Sequence, residues 1–516
     1  MLPMKRLLLP LACAIVVHLP AGAGEEQPRR CTYVELASLP LKYVGQNLVP
    51  AVDGSIDGTP ALMVLDTGAF DTQLTMNALA RRGLSTRMTG RHAGGIAGSS
   101  RLYTTRVNEF AIGPVKSTRT GLDLFVVADT TATPIYDALV GAPFLLQADM
   151  EFDLRAKTMK FFRPQGCGSD APLASWQEDT MVLPFEISHT KSPNPPFSVL
   201  VNGKELRAVI ATGAYRSFLT RNAAEKIGID LDGPGVTRLR DRGVIGTERS
   251  AHWAVPVKSV RIGGETVHDA ELVIADAPQL AAAELYLGQD FLRSHRVLFA
   301  MSQRKLYLAY LGGDVFARGT GLEPWMRQEA DKGDANVQYA LYTMYGNGRG
   351  VARDPKAAQA WLEKAAAAGQ PNAGLALARQ QMLAGRYLDA IPALRAALDK
   401  LPADRFGPLW LYNARVRAGQ AGFAAIELEA SVQRQHNDDW PQPVAEFYLG
   451  RLDAKGLLDS AARDQDNART RTCAARTYMA EWHAARGEQA QADALQVALR
   501  SECRLAREAA PAAADQ

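Results

Sequence analysis

Up to about residue 310, apolar positions fall in short runs rich in Val, Leu, Phe and Thr, broken by Gly, Asp and Pro. Runs at Leu48 to Val52, Ala61 to Leu65, Thr104 to Ile112, Leu122 to Val127 and Lys157 to Phe162 predict the strands of a small all-β barrel. One helical stretch interrupts them, Met76 to Arg82, capped by Thr75 and stopped by Gly83. A linker rich in Gly, Ser and Pro, Gln165 to Ser175, leads to a second region of the same kind, roughly Thr180 to Tyr310. Its helix, Arg221 to Ile227, is again capped by a threonine, Thr220, and stopped by a glycine, Gly228.

After Gly312, β-branched residues thin out and apolar residues take helical spacing. Ala335 to Tyr345 predicts a helix, Gly346 to Val351 a turn, and Asp354-Pro355 a cap with proline in the first helical position. A second helix, Lys356 to Ala368, ends at Gly369, and Leu375 to Leu401 and Thr477 to Arg500 predict further helical pairs. Such pairs cannot bury their apolar faces singly and must stack.

The two β regions are copies of one pattern. Met63 to Thr75 reads MVLDTGAFDTQLT and Ala208 to Thr220 reads AVIATGAYRSFLT, so Val64, Leu65, Thr67, Gly68 and Ala69 meet Val209, Ile210, Thr212, Gly213 and Ala214. Asp66 meets Ala211: the duplication keeps the scaffold and deletes one carboxylate. Downstream, the Gly-rich Gly94 to Gly98, the Ala138 to Leu145 element and the strand-like Met150 to Phe162 recur as Gly243 to Gly246, Leu285 to Leu292 and Val297 to Leu308.

This order of motifs, found twice, resembles the retropepsin-like aspartic proteases, whose active site is made by two Asp-Thr-Gly loops meeting at a twofold axis. The resemblance implies two all-β retropepsin-like acid-protease lobes. It implies Asp66 as the catalytic acid/base, with Thr67, Gly68, Thr212 and Gly213 supporting the loops. Gly94, Gly95, Ile96 and Gly98 become a flap over the cleft, and no cofactor or metal is expected. The chemistry needs two carboxylates about 3 Å apart sharing one proton, so that one activates water while the other protonates the substrate carbonyl. Ala211 is therefore the difficulty. Asp71 lies beyond the turn and Asp290 faces Pro143 in the other copy, so neither occupies the matched position. Either two chains pair through their first lobes as a homodimer, or the cleft binds extended peptides without cleaving them.

The run from Gly333 through the second helix resembles a Sel1-type repeat, a relative of the tetratricopeptide repeat, and the later pairs resemble diverged tetratricopeptide repeats. The implied fold is multidomain, with an α-helical Sel1/TPR-like solenoid after the two lobes. Such a solenoid implies recruitment of a substrate or protein partner. The expected units are a signal peptide at 1–23, lobes at 41–163 and 180–311 joined by a linker at 164–179, and repeats at 320–400 and 401–510. The function that follows is an exported aspartic endopeptidase acting on a peptide or protein substrate. The alternative is a pseudoprotease serving as a peptide-binding scaffold.

Composition adds limits. A chain of 516 residues suggests about three domains at about 150 residues each, and 47% apolar content suffices for packed cores. A net charge of +3, with no basic stripe interleaved with aromatics, gives no reason to expect nucleic acid. Lys5 and Arg6, the apolar Leu7 to Leu19 and the small residues Ala21-Gly22-Ala23 read as a signal peptide, which places the mature chain in the bacterial periplasm. No later segment is apolar and long enough to span a bilayer, so no integral membrane segment is expected after signal removal. No Cys/His cluster has metal-ligand spacing. Loss of Cys13 with the signal leaves Cys31, Cys167, Cys473 and Cys503, which allow three disulfide connectivities, or four buried free thiols. Cys31 and Cys167 bracket the first repeat. A helical hairpin turning near Gly487 puts Cys473 fourteen residues before the turn and Cys503 sixteen after it, level enough to bond.

Overall fold

The computed structural model describes residues 31–503 except 96–97, 118–119, 128–132, 177–178, 187–192, 240–250, 278–279, 281–282, 317–321, 323, 436–439 and 465–466. The signal segment, Ile96 of the flap and the second-copy Gly243 to Gly246 lie outside the described residues.

Each β region forms its own sheet, and a third sheet joins them. The joining sheet has six strands in the order Thr32–Pro40, Thr158–Gln165, Asp149–Asp153, His295–Ala300, Lys305–Tyr310, Thr180–Pro184. This order is palindromic with respect to the duplication. The central pair is antiparallel, with Met150 opposite Phe299 and Phe152 opposite Val297, so the pseudo-twofold passes between the copies. Residues at the expected linker pack against this sheet rather than hang free: Leu173 is buried with Leu298, Ala300 and Tyr307.

The strands alternate as their sequence requires. In Thr59–Asp66, Ala61, Met63 and Leu65 enter the main core, while Leu62 and Val64 lie with Ala51 in a separate cluster. The predicted strand Thr104 to Ile112 is two strands, Gly98–Val107 and Phe110–Ile112. The break has a cause: the Asp57 carboxylate accepts from the Asn108 and Glu109 amides at 2.6 and 2.8 Å, which turns the chain there. Both short helices are capped as expected, Thr75 accepting from the Ala78 amide and Thr220 from the Ala223 amide.

Eleven helices follow among the described residues, most of them packed on the next in the chain. Ala335–Asn347 and Pro355–Ala367 start on Asp334 and Asp354, each of which accepts from two backbone amides. Pro371–Leu383 with Tyr387–Lys400, and Ala468–Ala485 with Gln489–Glu502, are the later predicted pairs. The all-helical region fits a helical repeat module. It is not a tethered appendage: Met326, Val337, Leu341, Met344 and Trp361 belong to the same core as both β lobes. Lys157 pairs with Glu329 at 2.6 Å, and Arg349 donates to Asn47 Oδ1 at 3.2 Å.

Disulfides join Cys31 to Cys167 and Cys473 to Cys503, with Cα separations of 4.3 and 5.9 Å. The first pins the entering strand of the first lobe to its exit strand.

Candidate active site

The strand Thr59–Asp66 delivers Asp66 to its C-terminal end, and Ala138–Gly141 runs parallel beside it with Gly141 opposite Asp66. The second lobe repeats this with Lys204–Ile210 and Leu285–Leu287, Ile210 lying opposite Leu287. The glycines that follow are required by close approach. A Cβ on Gly141 would stand 2.6 Å from the Asp71 carbonyl oxygen, and one on Gly288 would stand 2.6 Å from that of Ala214.

The two loops hold each other by a reciprocal set of hydrogen bonds. The Thr67 amide donates to Thr212 Oγ1 at 3.0 Å and the Thr212 amide to Thr67 Oγ1 at 3.2 Å. The hydroxyls in turn donate across the lobes, Thr67 to the Ile210 carbonyl at 2.6 Å and Thr212 to the Leu65 carbonyl at 2.9 Å. Both threonines are fully buried, so each bond is made out of water, where leaving a partner unmatched is expensive. Within the structure the first lobe is gripped by the second lobe of its own chain. That occupies the surface through which a homodimer of first lobes would have to pair.

Asp66 Oδ1 accepts from the Gly68 amide at 2.8 Å and from the Gly213 amide at 3.3 Å. By the symmetry of the loops, the Gly213 N–H is the donor a carboxylate at position 211 would use. Asp66 has taken it, so the loss of that carboxylate leaves no stranded donor. Gly213 must be glycine: a Cβ there would lie 2.4 Å from Asp66 Cγ. Asp66 keeps a face open to solvent, yet burial of its carboxyl raises its pKa above the ordinary 3.8, against the two amide bonds, which lower it. No second carboxylate contributes to that rise among the described residues.

Ala211 is buried among Val209, Phe218 and Tyr286, with Phe218 stacked on Tyr286 at 4.6 Å. Asp290 serves the second loop's frame instead of the cleft, its Oδ1 accepting from the Ser217 amide at 2.8 Å and hydroxyl at 2.6 Å. Of the flap candidates, Gly94, Gly95 and Gly98 lie on paired strands, Arg87–Gly95 and Gly98–Val107, with Gly95 opposite Gly98.

Two residues escaped the sequence reading. Asn194 is buried and its Nδ2 donates to the carbonyls of Thr67 at 2.7 Å and Ile210 at 2.8 Å, tying both lobes. Strand register places it opposite Val49 of the first copy, so a polar-for-apolar exchange between copies was its only signal. The other is Tyr136. Its phenol is pushed up to about 12, by burial first and then by the charge of Asp66.

Two segments, residues 52–147 and 197–294, each match the family described as gag-polyprotein putative aspartyl protease. Both lobes are retropepsin-like. The matches cover the two Thr-Gly loops, Gly141 and Gly288, and stop before the helical module. Comparison with curated proteins gave no match to this chain.

Proposed function

We propose that the chain is an exported retropepsin-like aspartic endopeptidase that works with a single loop carboxylate. The observation that carries this reading is the complete cross-lobe grip around Asp66, which fixes a carboxyl of raised pKa at the junction of the lobes. A grip of this kind costs buried polar groups and serves to aim that carboxyl. Asp66 is the general base, Thr67, Gly68, Thr212 and Gly213 support it, and the paired strands that end at Gly95 and start at Gly98 cover the substrate. The helical module, packed against both lobes, presents substrate or a protein partner. Two disulfides support an oxidising compartment such as the periplasm. Among the described residues no helix is long and apolar enough to cross a membrane.

The second reading, a peptide-binding pseudoprotease, is favoured by one observation: position 211 is a buried methyl. Cleavage of a mixed peptide library separates the two. The peptidase reading expects products from wild type and none from Asp66→Asn; a wild type that binds peptides and releases no products is a pseudoprotease.

A further inference from the structure

The missing carboxyl at position 211 removes the proton that polarises the substrate carbonyl, so a working site needs another donor. Tyr136 is placed to be one. It lies in the segment leading into Ala138–Gly141 and packs against the cluster of Val44, Ala51 and Val64, as Leu139 does. Val64 is two residues before Asp66 on the same strand and therefore shares its face, and Leu139 is the register partner of Val64. Tyr136 thus lies on the sheet face that carries Asp66, and the Asp66 charge bears on its phenol.

The segment is held on both sides. Thr133 donates to Asp404 of the helical module at 2.9 Å, and Asn77 links the Pro134 carbonyl (2.8 Å) to the Ala403 amide (2.9 Å). Ile135 packs into the helical cluster of Leu375, Ile391, Leu394 and Leu411. Asp137 takes Arg81 and Arg82, each at 2.8 Å, and accepts from the Leu62 amide at 2.9 Å. A tyrosine between two such anchors is aimed.

We propose that Tyr136 supplies the electrophilic half of the chemistry vacated at position 211, donating its hydroxyl hydrogen bond to the oxyanion formed at the scissile carbonyl. Asp66 takes one proton from water as the water oxygen attacks the carbonyl carbon, and the C=O pair moves onto oxygen, where the phenol meets it. On collapse the C=O re-forms, the C–N bond breaks and Asp66 gives its proton to the amine nitrogen. Tyr136 keeps its proton throughout, and its phenol, held up at about 12, stays neutral across the working range. Protonated donors aimed at a developing oxyanion are worth about 100-fold or more in kcat.

This role rests on the peptidase reading, and the test separates the two. Wild type, Asp66→Asn and Tyr136→Phe are assayed on a peptide selected from the library. The expected result is an about 100-fold lower kcat for Tyr136→Phe, with KM within about threefold of wild type. A fluorinated tyrosine at position 136, whose phenol is more acidic, brings an alkaline limb into the pH profile that wild type lacks. It also carries the test where Tyr136→Phe fails to fold. Wild-type kcat in Tyr136→Phe, or an unchanged profile with the fluorinated residue, overturns the role of Tyr136 while the peptidase reading stands. Absence of any cleavage sensitive to Asp66→Asn overturns both.

Discussion

Ala211→Asp rebuilds the dyad inside one chain, and the structure says what that should do. Ala211 Cβ lies 3.2 Å from where a Cβ on Gly68 would be, so an introduced carboxyl lands beside the first loop and next to Asp66. The Gly213 amide, now 3.3 Å from Asp66 Oδ1, is the natural donor to it, as Gly68 is to Asp66. Two carboxylates about 3 Å apart repel by about 5 kcal/mol at an effective dielectric near 20, or about four pKa units. The pair then titrates in two well-separated steps and holds one shared proton around neutral pH. Packing cost runs the other way: filling a site packed around a methyl costs about 1–3 kcal/mol.

The assay is library cleavage between about pH 3 and 8, with proton uptake measured on the same protein. Ala211→Asp should cleave faster than wild type, melt lower, and show a coupled titration that Asp66→Asn abolishes. Because the new carboxyl and Tyr136 would serve the same oxyanion, Tyr136→Phe should cost less in the Ala211→Asp background than in wild type. A folded Ala211→Asp protein with no gain in cleavage and one independent carboxyl titration would mean that positions 66 and 211 do not form a dyad.

Thr212→Val keeps the shape but strips the acceptor from the buried Thr67 amide and the donor from the Leu65 carbonyl, and should cost about 2–4 kcal/mol by denaturant unfolding; a change under about 0.5 kcal/mol would mean the grip does not hold the lobes together. Asp66→Asn should stabilise the fold above the acid range. A pKa raised in the fold contributes stability that is complete below the unfolded value near 3.8 and lost as pH rises through the folded value. The stability difference from wild type should therefore vanish at about pH 3 and grow by about 1.4 kcal/mol for each pH step of one until the folded value is passed; a flat difference would contradict a buried carboxyl. Cys473→Ser should destabilise the last helical pair by about 3–4 kcal/mol for a 30-residue separation, and non-reducing peptide maps should show the Cys473–Cys503 peptide in exported wild type.

Local rules carried much of this architecture. Thr75 and Gly83, and Asp354 with Pro355, act on neighbours within a few residues, so their helices could be read directly from the chain. The carboxylate deletion was equally plain, because Asp66 and Ala211 sit in aligned copies. What stayed hidden depends on contacts between distant segments. The six-stranded joining sheet brings together strands from positions 32 to 310, and no periodicity says which edges meet. Asn194 sits in a stretch of prolines with nothing in its own neighbourhood to mark it, and acquires its role only when Thr67 and Ile210 converge. Tyr136 reads as one aromatic before a strand until the parallel register sets Leu139 beside Val64.

Fusion of the copies explains how the site became asymmetric. In a symmetric pair of identical chains the two loops share one codon, so position 211 could not change without position 66. Within a single chain the second loop is free to lose its acid, provided the packing survives. It survives because the Gly213 N–H finds Asp66 Oδ1 and the methyl of Ala211 joins an apolar cluster. The second lobe keeps what only a partner lobe can give, namely Thr212, Gly213, Asn194 and half of the joining sheet. The first lobe keeps Asp66 and Tyr136, and the segment bearing Tyr136 is the one anchored to the helical module through Thr133 and Ile135. Any force exerted on helices Pro371–Leu383 to Gly407–Arg417 is therefore delivered one residue from Tyr136.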